Sequence, residues 1–396
     1  MTLPEGFGIN LVATIGTNVG VGVHSRSLAA SLERHGVPFS IMSVGHEWGG
    51  AVPIGDLEKR LVQSGADMRH PINVYTVPLV AFESLFRQCP WLLAPRRMHV
   101  AALWWEASVL PPSWVDNLGR LDAVLAASGF TANLASNSLT LTPVIEAPFP
   151  LTLPDGVRPD RARFGLPEGA TVFASSFDPN SDPVRKNPVG HVQAFRMAFA
   201  PDVADVRLAI RVNNADTDLG RATLRSMTQA AGGDARVSFI VEPLSYAEVL
   251  GFYAASDVHL SLHRGEGLGL GMMESMALGK PAIATAWSGN TSFMDYSCGC
   301  PVRFRRTRVA GHWRFFQPDF LGVRAFWAEP MLDDAAAWMR RLHTEPALRE
   351  RLGTAAKAAV AAYQARAWSR RWIDELVALW QAQPFLPAVP GKFSAA

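Results

Sequence analysis

Cysteine is scarce in this chain: its 396 residues include three, Cys89, Cys298 and Cys300. Three thiols, two of them in a lone C-x-C, cannot build a disulfide framework or a four-ligand metal site, so they are expected to be reduced and structural. Charge is also thin. Asp, Glu, Lys and Arg make up 18% of the residues and sum to +2, which excludes the strongly basic face of a general nucleic-acid binder. No apolar run approaches the roughly eighteen residues of a membrane span. The opening MTLPEGFGIN has neither the basic nor the apolar region of a signal peptide, and a cytoplasmic location is the expectation. What the chain does have is apolar material, 48% of its residues. At about 150 residues per domain, its length points to two or three globular domains.

The pattern along the chain is strand, loop, helix, repeated. Gly8 to Ile15 is a buried-strand pattern, followed by GTNVGVG and by a helix, HSRSLAASLERHG, closed by Gly36. Such a unit opens doubly wound α/β domains and places backbone amides at the carboxyl edge of the sheet, which makes Gly20 and Gly22 candidates for ligand contact. Phe39 to Val44 predicts the next strand, and the glycine- and proline-rich GHEWGGAVPIGD after it predicts a surface excursion. PINVYTVPLV and RMHVAALWWEAS read as two further strands around a helical patch at Phe82 to Arg87. Residues 147 to 169 hold five prolines without periodicity, the mark of an interdomain linker. Beyond them TVFASSFD, the helix VGHVQAFRMAFA, the strands VRLAIRVNN and VSFIVEPLS, and a helix from Tyr246 to Ala255 predict a second parallel-sheet domain. The expected division is 1–165, 166–365, and a tail of 366–396.

The stretch from His263 to Asp295, HRGEGLGLGMMESMALGKPAIATAWSGNTSFMD, concentrates the chemistry. It reads as a glycine-rich turn carrying Glu266, a helix from Met272 to Leu278 carrying Glu274, and a strand from Ala282 to Thr285. Gly265, Gly267, Gly269 and Gly271 permit close backbone approach, and the N–H groups opening the helix form an anion site. Carboxylates beside phosphates would be repelled, so Glu266 and Glu274 are expected to accept hydrogen bonds from sugar or ribose hydroxyls.

The spacing Glu, seven residues, Glu within EGLGLGMMESMALGKPAIAT resembles the signature of retaining nucleotide-sugar glycosyltransferases of family 4. RMHVAALWWEASVLPPSW and VSFIVEPLSYAEVLGFYAASDVHLSLHRGEG are of the same type. The resemblance implies a GT-B α/β fold: two Rossmann-like parallel-sheet domains face a cleft, and a C-terminal helix returns to the first of them. It implies a metal-independent hexosyltransferase that moves mannose or glucose from a GDP- or UDP-sugar, with no other cofactor, to a glycan or lipid-linked acceptor in surface-polysaccharide biosynthesis. The carried-over catalytic residues are Glu266, Lys186 and Glu106, the last at a strand end facing the cleft. The donor residues are Glu274 at the ribose, then Gly267, Leu268, Gly269, Leu270, Arg185, His263, Gly20 and Gly22 around the phosphates, with the base near Ile240. The resemblance implies that Lys186, with Arg185 or Arg264 as a second cation, would meet a diphosphate. Two family positions differ: Asp178 stands where an arginine is usual, and Ala123 follows Asp122 where an acid is usual. A non-catalytic nucleotide-sugar or glycan-binding scaffold is the alternative these departures leave open.

Two segments near the end remain. RFRRTRVAGHWRFF is read as a solvated basic loop, with contact to anionic lipid as the other choice. WAEPMLDDAAAWMRRLHTEPALRERLGTAAKAAVAAY predicts a pair of amphipathic helices. A last helix from Arg366 to Gln383 carries Trp368, Trp372, Leu376 and Trp380 on one stripe. That stripe is expected to pack on the first domain, with peripheral membrane association as the other option.

Overall fold

The computed structural model describes residues 2–17, 20–45, 51–93, 97–322 and 324–382. The chain forms two compact units. One consists of Met1–Trp105, Leu110–Thr152 and Gln364–Ala396, the other of Glu106–Val109 and Leu153–Tyr363.

The first unit runs β1 (Ile9–Ala13), α1 (Gly20–Arg34), β2 (Phe39–Ser43), β3 (Ile72–Thr76), α2 (Phe82–Gln88), β4 (Met98–Leu103), α3 (Pro112–Leu118), β5 (Ala123–Ala126), α4 (Gly129–Ser138) and β6 (Val144–Glu146). Its six strands lie in the order β2-β1-β3-β4-β5-β6, and every pair is parallel. Parallel strands are covered on both faces, which is why INLVA, INVYT and MHVAAL are buried at every position. The first helix begins at Gly20, ahead of the His24 start expected, and Gly36 ends its turn at φ +63°. Part of the expected surface excursion, residues 46–50, lies outside the described residues.

The second unit runs β7 (Thr171–Phe177), α5 (Pro183–Lys186), α6 (Pro188–Ala198), β8 (Val206–Val212), α7 (Asp218–Ala231), β9 (Val237–Ile240), α8 (Tyr246–Ala255), β10 (Val258–Ser261), α9 (Leu270–Ala277), β11 (Ala282–Thr285), β12 (Cys300–Val302), β13 (Phe304–Arg308), α10 (Pro318–Leu321), β14 (Phe326–Pro330), α11 (Leu332–Thr344) and α12 (Pro346–Ala367). Its parallel sheet has the order β12-β11-β10-β7-β8-β9. The proline-rich stretch before β7 is packed: Leu153, Val157 and Phe164 lie against the core layer of Leu166, Val172 and Phe252. Arg161 pairs there with Asp257 at 2.8 Å. The basic segment expected as a loop begins as a strand, because β13 pairs antiparallel with β14. WAEP supplies most of β14, so the helical pair starts later, at Leu332.

The chain then returns. α13 (Arg371–Ala382) lays Trp372, Ile373, Leu376 and Val377 into the core built on Leu11, Ile41, Val74 and Val100 of the first unit. The helix starts five residues after the expected Arg366, since α12 runs on to Ala367. Trp368 lies between the two helices and stacks under the Arg34 guanidinium at 5.2 Å. The tryptophan stripe is thus spent in packing. No helix among the described residues is long and apolar enough to cross a membrane.

Candidate active site

In an open parallel sheet, ligands reach the carboxyl ends of the strands where the strand order reverses. In the second sheet that point falls between β7 and β10. The segments that follow these two neighbours carry Arg185 and Lys186 on one side and His263 to Gly269 on the other.

Asp182 builds the first side. It occupies the N-cap of α5 with Pro183 at the first helical position, where proline's fixed φ and missing N–H cost nothing. The residue is fully buried and held at φ +74°. Its Oδ1 accepts from the N–H groups of Val184 and Arg185 at 2.9 and 3.1 Å. Its Oδ2 accepts from those of His312 and Trp313 at 2.6 and 2.9 Å. One carboxylate thus orders both the turn bearing the two cations and the segment between β13 and β14. Asn187 closes the turn at φ +53° and donates to the Leu262 carbonyl at 2.8 Å. The Arg264 N–H donates to the Arg185 carbonyl at 2.7 Å.

These constraints bring four charges together. Lys186 Nζ lies 2.6 Å from Glu266 Oε1, and Arg185 Nη1 lies 3.6 Å from Oε2. Arg185 Nη2 lies 3.8 Å from Glu106. The Arg185 side chain is 5% exposed, and its remaining N–H groups are taken by the Ser181 and Gly265 carbonyls. Arg264, the other candidate cation, is instead paired with Glu329 at 2.5 Å. Burial alone would raise the Glu266 pKa, but Lys186 and Arg185 outweigh it and hold the carboxyl down at about 2. For Arg185, burial favours deprotonation, while Glu106 and Glu266 oppose it and raise the value above its ordinary one. His263 is fully enclosed, and burial pulls it to about 4 although Glu266 favours its protonated form. It is neutral at pH 7.

The glycine turn allows the close approaches expected of it. A Cβ on Gly265 would run into the Glu106 carbonyl, and one on Gly289 into that of Gly267. Gly267 and Leu268 are buried, and Gly269 at φ +94° leads into α9, whose first turn no side chain caps. This helix starts at Leu270, two residues before the expected Met272. The Glu266 N–H donates to Ser288 Oγ at 2.8 Å, which ties the turn to the SGN segment.

Glu274 sits apart from the charge cluster's ion pairs. Burial raises it to about 7, against the Tyr246 hydroxyl, which donates to Oε1 at 3.0 Å, and against the pull of Arg211. Tyr246 is raised in turn, through burial and the Glu274 charge, yet the residue is 46% exposed, whereas Glu274 is buried.

The remaining candidates fall elsewhere. The Ile240 side chain is part of the core layer beside α8, so it offers a ligand only backbone. Gly20 and Gly22 open α1 in the first unit. A Cβ on Gly22 would strike the Thr17 carbonyl, while Gly20 faces open space. Of the two tryptophans, Trp105 is core, edge-on to Trp114 at 4.7 Å. Trp104 is half-buried and donates its indole N–H to His24 Nδ1 at 2.8 Å. Burial pulls His24 to about 3, so it is a neutral acceptor. Both rings lie past the end of β4 at Leu103. Sequence reasoning missed Asp182, Tyr246, Arg211 and His24. Only Asp182 carried a usable signal, the cap-then-proline pair that starts a helix.

No family model matches the chain, and no curated protein matches it by sequence. Its structure is similar to solved ones. Sucrose-phosphate synthase from Thermosynechococcus elongatus matches with a TM-score of 0.69 at 16% identity, over 95% of this chain and 100% of that one. A glycosyltransferase from Rickettsia africae matches at 0.67 and 13%, over 96% and 100%. HepE from Anabaena, solved with UDP and glucose, matches at 0.63 and 14%, over 94% and 100%. Likeness at such identities speaks to the fold, and that fold is GT-B, with two Rossmann-like domains.

Proposed function

We propose that the protein is a retaining, metal-independent glycosyltransferase. It would transfer a hexose, mannose or glucose, from a GDP- or UDP-sugar to a glycan or lipid-linked acceptor of surface-polysaccharide assembly. The observation that carries the reading is the buried Lys186–Glu266–Arg185 cluster at the switch point of a GT-B sheet. The fold's solved relatives include one holding UDP and glucose, which supports a nucleotide-sugar donor here.

The geometry suits departure of a nucleoside diphosphate. As the glycosidic bond breaks, negative charge grows on the leaving phosphate oxygen, and preorganised cations in a dry site stabilise it. Lys186 retains partial access to solvent, whereas Arg185 does not. Lys186 would therefore meet the phosphate, exchanging part of its pairing with Glu266 for it, while Arg185 fixes the Gly265 and Glu266 backbone. Glu266 stays ionised at any ordinary pH, so it acts as an acceptor for sugar hydroxyls rather than as an acid. Transfer on one face of the sugar, with the leaving phosphate assisting the acceptor hydroxyl, needs no side-chain nucleophile. Glu274 and Tyr246 would hold the ribose.

The test is a thermal-shift series against UDP, GDP, ADP and CMP and their sugar conjugates, followed by turnover with the donor that binds. Ligand at about a hundred times Kd adds roughly 2.7 kcal/mol. Lys186→Ala should lower kcat by about a hundredfold or more in a protein that still folds, although it melts lower without ligand because Glu266 loses a partner. Unaltered turnover would remove Lys186 from the site. Binding without turnover in the unmodified protein would favour the scaffold alternative.

A further inference from the structure

A line of rings leads away from the charge cluster. A Cβ on Gly265 would lie 3.1 Å from the Trp287 ring, so the indole closes directly over the backbone that precedes Glu266. Trp287 meets Phe326 of β14 at 5.8 Å between ring centroids, with the planes at 41°. The Arg306 guanidinium of β13 covers Phe326 at 4.7 Å. Both rings are half-exposed and Arg306 is exposed. Ser108 holds the platform in place, donating its N–H to the Phe326 carbonyl at 3.2 Å and accepting the Phe326 N–H on Oγ at 2.9 Å.

The charge around this platform is unbalanced. Arg303 is paired with Asp334, and the hairpin's acid Glu329 is taken by Arg264. Arg305, Arg306 and Arg308 join no ion pair among the described residues, and Arg306 and Arg308 alternate along β13 and so share a face. A guanidinium stacked by its face on an aromatic ring keeps its in-plane N–H groups for a bidentate anion. A sugar ring lays its apolar face on aromatics. None of these elements carries a residue given above to the donor.

We propose that Trp287, Phe326 and Arg306 form an acceptor subsite for a saccharide bearing a carboxylate or phosphate. Its sugar ring would lie on Trp287 and its anionic group on Arg306, which Phe326 holds in place, with Arg308 beside it. The proposal rests on the glycosyltransferase reading, since it names the acceptor class of that reaction.

The test is saturation-transfer NMR on the full chain with three probes: methyl glucuronide, glucose 6-phosphate and neutral methyl glucoside. The two anionic probes should bind about tenfold more tightly than the neutral one, the worth of one charge-assisted hydrogen bond. Arg306→Gln should erase that preference, Arg306→Lys should restore only part of it, and added salt should weaken it in the unmodified protein. Equal binding of charged and neutral probes, or an undiminished preference in Arg306→Gln, would overturn the subsite. The nucleotide thermal shifts of the same Arg306→Gln protein are read separately and should be unchanged. A failure of the donor reading would show as no shift in either protein, whatever the probes do.

Discussion

Glu266 and Glu274 lie on one short stretch of chain and carry opposite shifts in acidity. Two cations stand against Glu266, while Glu274 has a phenol and the more distant Arg211. The consequences for stability run in opposite directions. Glu274 sits at about 7 against an ordinary 4.5, so the native state holds its proton more tightly. The stability this provides is present below about pH 4.5 and is lost as pH rises through 7, a swing on the order of 3 kcal/mol. Glu266, held at about 2, contributes stability above 4.5 that is lost as pH falls towards 2. Glu274→Gln should therefore melt higher than the unmodified protein at pH 8 and about equally at pH 5. Calorimetric scans at the two pH values check this, and an equal gain at both would place the Glu274 proton elsewhere. The Glu-x7-Glu pattern marked both residues, but it could not separate their acidities. The difference depends on Lys186 and Arg185 reaching Glu266 from about eighty residues earlier in the chain, and on the burial of Glu274.

Among elements, the short turn α5 is worth more than its four residues suggest, because Asp182 ties it to the start of the segment between β13 and β14. Asp182→Ala would leave the N–H groups of Val184, Arg185, His312 and Trp313 without their acceptor, that of Arg185 in a buried setting. The expected cost is about 1–3 kcal/mol, read in urea unfolding, together with faster proteolysis within residues 309–322. Cleavage unchanged from the unmodified protein would show that the segment holds itself. Elements of this kind mark the limit of sequence reading. Most of the parallel strands were legible as apolar runs, although the three-residue β6 and β12 were not, and Tyr246 to Ala255 was legible as a helix whose Ser245 and Glu248 form a capping box. β13 was not legible, since FRRTR has a strand's alternation only when Phe326 to Pro330 arrives to pair with it. α7 was also passed over, although Thr217 caps it and Gly232 ends it at φ +59°. The charge cluster itself was legible as a set of residues and not as ion pairs, because Asp182 and Asn187 set the turn that aims Arg185 and Lys186.

At the scale of the molecule, the first unit is assembled from both ends of the chain. Trp372 is 2% exposed and Leu376 fully buried in a core whose members outside α13 lie before residue 148. Trp372→Ala should cost about 3–5 kcal/mol and lower the melting of the first unit while leaving that of the second. Hydrogen exchange resolved by peptide distinguishes the two, and equal loss of protection in both units would mean that they unfold together. The return of α13 also dictates an order of events during synthesis. Domains generally fold as they emerge, yet the sheet translated first must wait, with an apolar face uncovered, until the whole second unit has been made. On stalled ribosomes the second unit should thus gain protease resistance before the first, the reverse of their order of emergence, and the early sheet would be the part that needs a chaperone.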